Sequence, residues 1–263
     1  QFTDLLHMPS TAKSPQQMFG AIAKSYYADK LGIDPSDLIV VSIMPCLAKK
    51  YEAGRPEFIN DEVPDVDFVL STRELASMIK EAGIVFSRLP DEGYDSPLGE
   101  STGAGVIFGA SGGVLEAALR TAAAWLEEDD DGPIDFVDIR GLEGIKEATV
   151  TVAGTELKVA VASGLANARM LLEKIQRGES QYHAIEIMAC PGGCINGGGQ
   201  PYHRGDSSIL EARKNAIYQA DKDLPIRKSH LNPSIQKIYE EFLGKPNSEI
   251  AHKLLHTTYC AKK

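Results

Sequence analysis

Leu38-Ile39-Val40-Val41-Ser42-Ile43 is nearly all apolar, rich in β-branched residues, and ends in Met44-Pro45-Cys46. Such a continuous run predicts a buried parallel strand rather than the alternating strand of a surface sheet. A second run, Val66-Asp67-Phe68-Val69-Leu70, feeds a helix that Ser71 or Thr72 can cap, with Glu74 near the capping-box position. Upstream, residues 11–31 predict a helix: Met18, Ile22, Tyr26 and Leu31 recur near the helical period, with Phe19 and Ala23 beside them. Thr11 or Ser14 suits its cap, Pro15 its first turn and Gly32 its end. Strand followed by helix, twice over, is the pattern of an α/β fold.

Working outward, residues 83–112 are rich in Gly, Pro, Ser and Asp and predict a long loop of the kind usually kept for function. The loop leads through Phe108-Gly109-Ala110-Ser111-Gly112-Gly113 into an Ala-rich helix from Val114 to about Glu128. The acidic stretch 127–131, followed by Gly132-Pro133, marks a surface break. Alternation predicts short strands at 148–152 and 157–161, an amphipathic helix follows over 167–177, and 184–188 predicts a strand running straight into Ala189-Cys190. No repeat of fixed period is present. Two strands nevertheless end alike, in Met44-Pro45-Cys46 and Met188-Ala189-Cys190, and ligands of α/β folds gather at the carboxyl ends of strands.

Composition narrows the classes. The 263 residues carry 27 Lys and Arg against 37 Asp and Glu, a net charge of −10, with 43% hydrophobic residues. That length supports a sizeable core without a disulfide scaffold. An acidic chain without a basic run is a poor partner for nucleic acid or an anionic membrane. No apolar stretch approaches the roughly 20 residues of a membrane span, and no secretory signal pattern is present. A cytoplasmic setting is the default expectation, with the periplasm left open. Four cysteines, Cys46, Cys190, Cys194 and Cys260, are too few to staple such a chain, so they read as thiols kept for chemistry or metal, or as small buried hydrophobes.

The segment Cys190-Pro191-Gly192-Gly193-Cys194-Ile195-Asn196-Gly197-Gly198-Gly199-Gln200-Pro201 carries the chemistry. So many glycines are costly to order, which makes sense where backbone passes close to something bulky or takes positive φ. A structural zinc site would need a second Cys/His pair, and a phosphate loop would need Lys-Ser/Thr at a helix start. Thiolates with glycine-freed backbone N–H groups suit an iron–sulfur cluster; a flexible turn is the plainer reading. In Met44-Pro45-Cys46-Leu47-Ala48-Lys49-Lys50-Tyr51-Glu52, a helix begun at Cys46 would put Cys46 and Lys49 on one face. The ammonium could then lower the thiol pKa or bond an anionic ligand; a solvated Lys-Lys pair is the alternative.

Together these motifs resemble the catalytic H-domain of FeFe hydrogenases. The resemblance extends over the whole chain, from Ser10-Thr11-Ala12-Lys13-Ser14-Pro15-Gln16-Gln17 through Met44 to Lys50, 108–114 and 190–201, to the helical tail ending near Leu254-Leu255-His256-Thr257. It implies two lobes with small, mostly parallel sheets flanked by helices, a cluster site between the lobes, and a helical tail at 205–263 wrapping the domain. It implies that Cys46, Cys190 and Cys194 ligate a 4Fe–4S cubane, Cys194 also bridging to a diiron unit with CO, cyanide and azadithiolate ligands. Lys49 would hold a cyanide, and Pro15, Gln16, Met44, Phe108 and Met188 would line the diiron pocket, although packing alone accounts for residues like Phe108 and Met188. Ser10 resembles a member of the proton relay and Glu52 a secondary relay carboxylate; a cap and a surface charge are the alternatives. The implied reaction is reversible reduction of protons to H2, with electrons from a ferredoxin-like carrier and a diiron unit installed by maturation proteins. The family's upstream Thr-Ser-Cys-Cys-Pro motif, source of the fourth cubane ligand, has no match here, and Cys260 matches no ligand. The 263 residues are therefore expected to be part of a longer chain and inactive alone. A non-catalytic relative of the same fold, serving iron–sulfur assembly or sensing, is the rival reading; Lys49, Met44 and Met188 would be its expected losses, and all three are retained.

Overall fold

The computed structural model describes residues 2–130, 132–142, 144–180 and 182–261. The chain forms two compact units, Gln1–Glu100 with Pro233–Lys263, and Ser101–Asn232. The expected α/β class holds in both.

In the first unit, helix α1 runs Pro15–Ile22, through a π-helical turn at Ala23–Tyr27, to Ala28–Leu31. It starts at residue 15 rather than 11 because Ser14 is the extended cap residue, its hydroxyl accepting the N–H of Gln17. Residues 11–13 spend their backbone on the tail instead: Lys13 N–H donates to Leu255 O and Thr257 N–H to Thr11 O. Strand β1 (Val41–Met44) leads to α2 (Ala48–Ala53), a small hairpin of β2 (Ile59–Asn60) and β3 (Val63–Pro64), then β4 (Phe68–Ser71) and α3 (Thr72–Glu81). β1 and β4 pair in parallel, Val41 beside Phe68 and Ile43 beside Leu70. Parallel pairing was expected; complete burial was not found. Val40 packs with Ala23 and Val66, but Val41, Ile43 and Phe68 are 49%, 42% and 60% exposed, because a two-stranded sheet covered on one face leaves the other open. Ser71 and Glu74 form the complete capping box of α3. The unit closes with α4 (Pro233–Ile238, continued by a π turn at Tyr239–Leu243) and α5 (Glu249–Leu255), whose apolar faces meet Ile22 and Tyr26 of α1.

The second unit opens with α6 (Gly103–Ile107), inside the stretch expected to be structureless. Its glycines conceal it from propensity; packing makes it, since Gly103 lies so close to Asp221 that a Cβ there would stand 2.0 Å from the carboxylate. The Ala-rich helix α7 (Gly113–Glu127) precedes β5 (Gly144–Val152) and β6 (Thr155–Ser163); α8 (Leu165–Gln176), β7 (Ala184–Met188) and α9 (Ser207–Asp223) complete the unit. β5 and β6 are antiparallel, while β6 and β7 are parallel and joined across α8. Val159 and Val161 of β6 pack under α7, and Ala160 and Ala162 under α8, so this strand is buried on both faces rather than alternating between core and solvent.

α7 and α9 are tied by ions. Glu116, Arg120 and Asp221 are each fully buried; Arg120 donates to Glu116 at 2.8 Å and to both Asp221 oxygens at 2.8 and 2.9 Å. Arg140 adds two bonds to Glu116, and Arg227 one to Asp221. Arg120→Met should cost about 3–5 kcal/mol in chemical denaturation, because it leaves buried carboxylates short of a partner. A second expectation concerns acid. Glu74 accepts from Lys50 and from the Ser71 N–H, which holds its carboxyl down at about 2 against an ordinary 4.5. The stabilisation of α3 by this group is complete above about 4.5 and lost as pH falls through about 2, which a carboxyl titration followed by NMR would show.

Candidate metal centre

β7 delivers Met188, half-buried, at its carboxyl end, where Gly164 N–H holds the Met188 carbonyl at 2.7 Å. The chain then turns. Gly193 N–H donates back to Cys190 O, Cys194–Asn196 form a 3-10 turn, and Gly192 and Gly193 take φ of +84° and +96°. This loop is stapled to the 109–111 turn: Ser111 N–H donates to Gly192 O at 3.1 Å and Ile195 N–H to Gly109 O at 3.0 Å. A Cβ at residue 193 would stand 2.7 Å from Ser111 N and 2.9 Å from Gly109 O. The glycines therefore admit close approach to the neighbouring turn. The N–H groups of Gly192 and Gly193 are used inside the protein, that of Gly192 by Ser163 Oγ at 2.7 Å and that of Gly193 by Cys190 O. Ser163 Oγ itself donates to Leu142 O, Asn196 Nδ2 bonds Pro191 O, and Arg213 of α9 donates to Ile195 O. Cys190 and Cys194 are held half-buried on this frame. Phe108, on the same turn, packs partly against Ala104, Ile107 and Ala110, and partly lines an apolar groove of about 400 Å³ that reaches Trp125.

In the first unit the chain bends at Pro45 and Leu47, on either side of Cys46, and α2 begins at Ala48 with Leu47 as its cap residue. The expected helix from Cys46 is thus shorter, and Cys46 and Lys49 do not share a helical face. Lys49 instead pairs with Glu52 at 2.9 Å, both partly buried, while the other Glu52 oxygen accepts from Ser14 Oγ at 2.8 Å. Gln16, 5% exposed, accepts from Ser42 Oγ at 2.8 Å and donates to Lys49 O at 3.4 Å. Lys49, Glu52 and Gln16 thus gather with Ser14, which the sequence marked only as a helix cap, and with Ser42, whose hydroxyl it did not single out. Met44 is half-buried at the end of β1, and Pro15 is exposed at the start of α1. Ser10 is exposed, its Oγ accepting the Ala12 N–H in the manner of a local turn and its carbonyl accepting the Tyr259 hydroxyl. Cys260 is exposed.

No disulfide joins the four cysteines, and among the described residues no three Cys, His, Asp or Glu side chains close around a single ion. Soft thiolate donors on rigid, partly apolar frames fit an iron–sulfur cluster, which is larger than one ion, better than zinc or a hard cation. Fold and site define an α/β protein that presents half-buried cysteine thiols.

The comparisons carry this further. A family model described as the iron-only hydrogenase large subunit, C-terminal domain, matches residues 1–198, and one described as the iron hydrogenase small subunit matches 207–262. The chain is 59% identical over 259 residues to the NADP-reducing hydrogenase subunit HndD of Solidesulfovibrio fructosivorans, covering 98% of this chain and 44% of that protein. It is 36% identical over 261 residues to the cytosolic iron–sulfur assembly component 3 of Mus musculus, covering 96% and 54%. A solved structure of a variant of the [FeFe]-hydrogenase HydA1 from Chlamydomonas reinhardtii superposes with a TM-score of 0.85 at 40% identity, over 98% of this chain and 72% of that one. The chain belongs to the iron-only hydrogenase family, and spans about half the length of these curated relatives. Among the described residues, no helix is long and apolar enough to cross a membrane.

Gly193→Ala, strained in φ and driven into the 109–111 backbone, should cost about 2 kcal/mol or more and lower Tm by roughly 5 °C or more. Gly178→Ala, at φ +69° in open space, should cost about half as much. Thermal unfolding of the two variants measures the difference.

Proposed function

We propose that this chain is the catalytic part of an FeFe hydrogenase, carrying out reversible reduction of protons to H2. The reading rests chiefly on the retention of Lys49, Met44 and Met188 together with Cys46, Cys190 and Cys194. The three thiolates would hold a 4Fe–4S cluster, Cys194 also bridging to a diiron unit, with the fourth thiolate supplied from outside these 263 residues. When bound, this group supplies the proton-reduction chemistry and the electron relay; the protein supplies ligation, orientation and exclusion of water.

Each residue then has a task of its own. The Lys49 ammonium donates to an anionic ligand of the diiron unit, and its bond to Glu52 keeps the charge aimed and compensated until then. Gln16 fixes the Lys49 backbone through its bond to Lys49 O, and its other amide end is fixed by Ser42. Met44, Met188, Phe108 and Pro15 would border the diiron unit, where the methionines would tolerate an irregular outline. Glu52 and Ser14 form a short hydrogen-bonded path along which a proton could be held at the Glu52 carboxylate, with Ser10 an outer member of the relay. Electrons come from a ferredoxin-like carrier, and maturation proteins install the diiron unit.

A second reading has an observation in its favour, since the iron–sulfur assembly component of Mus musculus matches 96% of the chain. Infrared spectroscopy of the longer protein containing this chain, matured anaerobically, separates the two. The hydrogenase reading predicts CO and cyanide bands together with H2 evolution, both lost in Cys194→Ser, and no evolution from the 263 residues alone. Iron without those bands would establish the assembly-type reading instead.

A further inference from the structure

Glu186 is a buried acid on the strand that delivers the cysteine loop, 8% exposed and four residues before Cys190. Its two carboxylate oxygens accept the N–H groups of Gly112 at 2.6 Å and Leu115 at 2.8 Å. These are orphan donors of the first turn of α7, a fifteen-residue helix with no side-chain cap of its own. The turn cannot supply one. A Cβ at Gly112 would stand 2.3 Å from Ile139 O, and one at Gly113 would stand 1.8 Å from Ile107 O, so Ser, Thr, Asp and Asn are shut out of the cap position by backbone. The cap therefore comes from another element. Burial pushes the Glu186 carboxyl up while the backbone N–H groups around it oppose the shift, and a carboxylate that accepts at both oxygens has no proton to give along this geometry.

The capped turn is also the one to which the cysteine loop is stapled, through Ser111 N–H to Gly192 O and Ile195 N–H to Gly109 O. The connections close a ring: β7 carries Glu186, Glu186 holds the start of α7, the 109–111 turn precedes that start, and the turn seats the loop that leaves β7. We propose that Glu186 is a positioning residue for the cluster ligands, fixing through this ring where the Cys190 and Cys194 thiolates are presented. The part played by the thiolates rests on the function proposed above; the ring itself does not.

The test is amide hydrogen exchange on the iron-free longer protein containing this chain, read residue by residue in Glu186→Gln, which sets an NH2 against a backbone N–H. The amides of Ser111 and Ile195 should exchange about tenfold faster or more, and those of Val159 and Val161 in β6 less than about threefold faster. Val152→Ala, a truncation in the core beneath α7, should speed all four alike and serves as the control for simple destabilisation. If Glu186→Gln does not fold, Glu186→Asp, which keeps the charge and shortens the reach, carries the same readout. Equal acceleration at all four amides, or none at Ser111 and Ile195, overturns the proposal. Iron bound per chain in the longer protein is a separate measurement. Wild-type protein that binds no iron would defeat the functional reading while leaving the ring intact; normal binding in Glu186→Gln with loosened Ser111 and Ile195 amides would defeat the link to the ligands.

Discussion

One constraint fixes the backbone between Cys190 and Cys194, four residues apart, and with it where their sulfurs point. Here the seat of the 190–196 loop on the 109–111 turn supplies that constraint, with Gly192 and Gly193 at positive φ where a side chain would strike backbone. The ordering cost of these glycines is met at folding by the packing of the loop on its neighbouring turn. The hydroxyl of Ser163, the guanidinium of Arg213 and the carboxylate of Glu186 all serve the same seat.

The first unit answers with charge rather than backbone. Lys49 is held partly buried by one carboxylate, and that carboxylate is held in turn by a serine at the cap of α1. An ammonium so placed is directional and only partly hydrated. The same short network joins Ser42 of β1, the start of α2 and the first turn of α1, so the polar group and the local fold stand together.

Much of this was legible in the sequence, for reasons that can be named. The strand 184–188 and its Met-x-Cys ending were expected and found at the same residues, because an apolar run bounded by polar and turn residues leaves few alternatives. The Ser71–Glu74 box and the parallel partnership of the first two strands were likewise written locally. The short helix at Gly103–Ile107 was not, since its glycines speak against a helix and its packing on Asp221 decides for one. Nor was the burial of β6 on both faces, where Ala160 and Ala162 carry little hydrophobic signal but allow α8 to approach. Of the site, the cysteines, Lys49 and Gln16 announced themselves by motif. Ser163, Arg213 and Glu186 act on backbone 29, 18 and 74 residues away, and no local pattern marks such bonds.

The central claim is that three thiolates distant in sequence share one iron–sulfur cluster, while the fourth cysteine of the chain stands outside it. Alkylation of the iron-loaded, anaerobic longer protein, mapped by mass spectrometry, tests it most directly, since a metal-bound thiolate is withheld from the reagent. The account predicts Cys46, Cys190 and Cys194 protected together, becoming reactive together when iron is chelated, with exposed Cys260 labelled throughout. Labelling of Cys46 as fast as Cys260 while iron remains bound would contradict it.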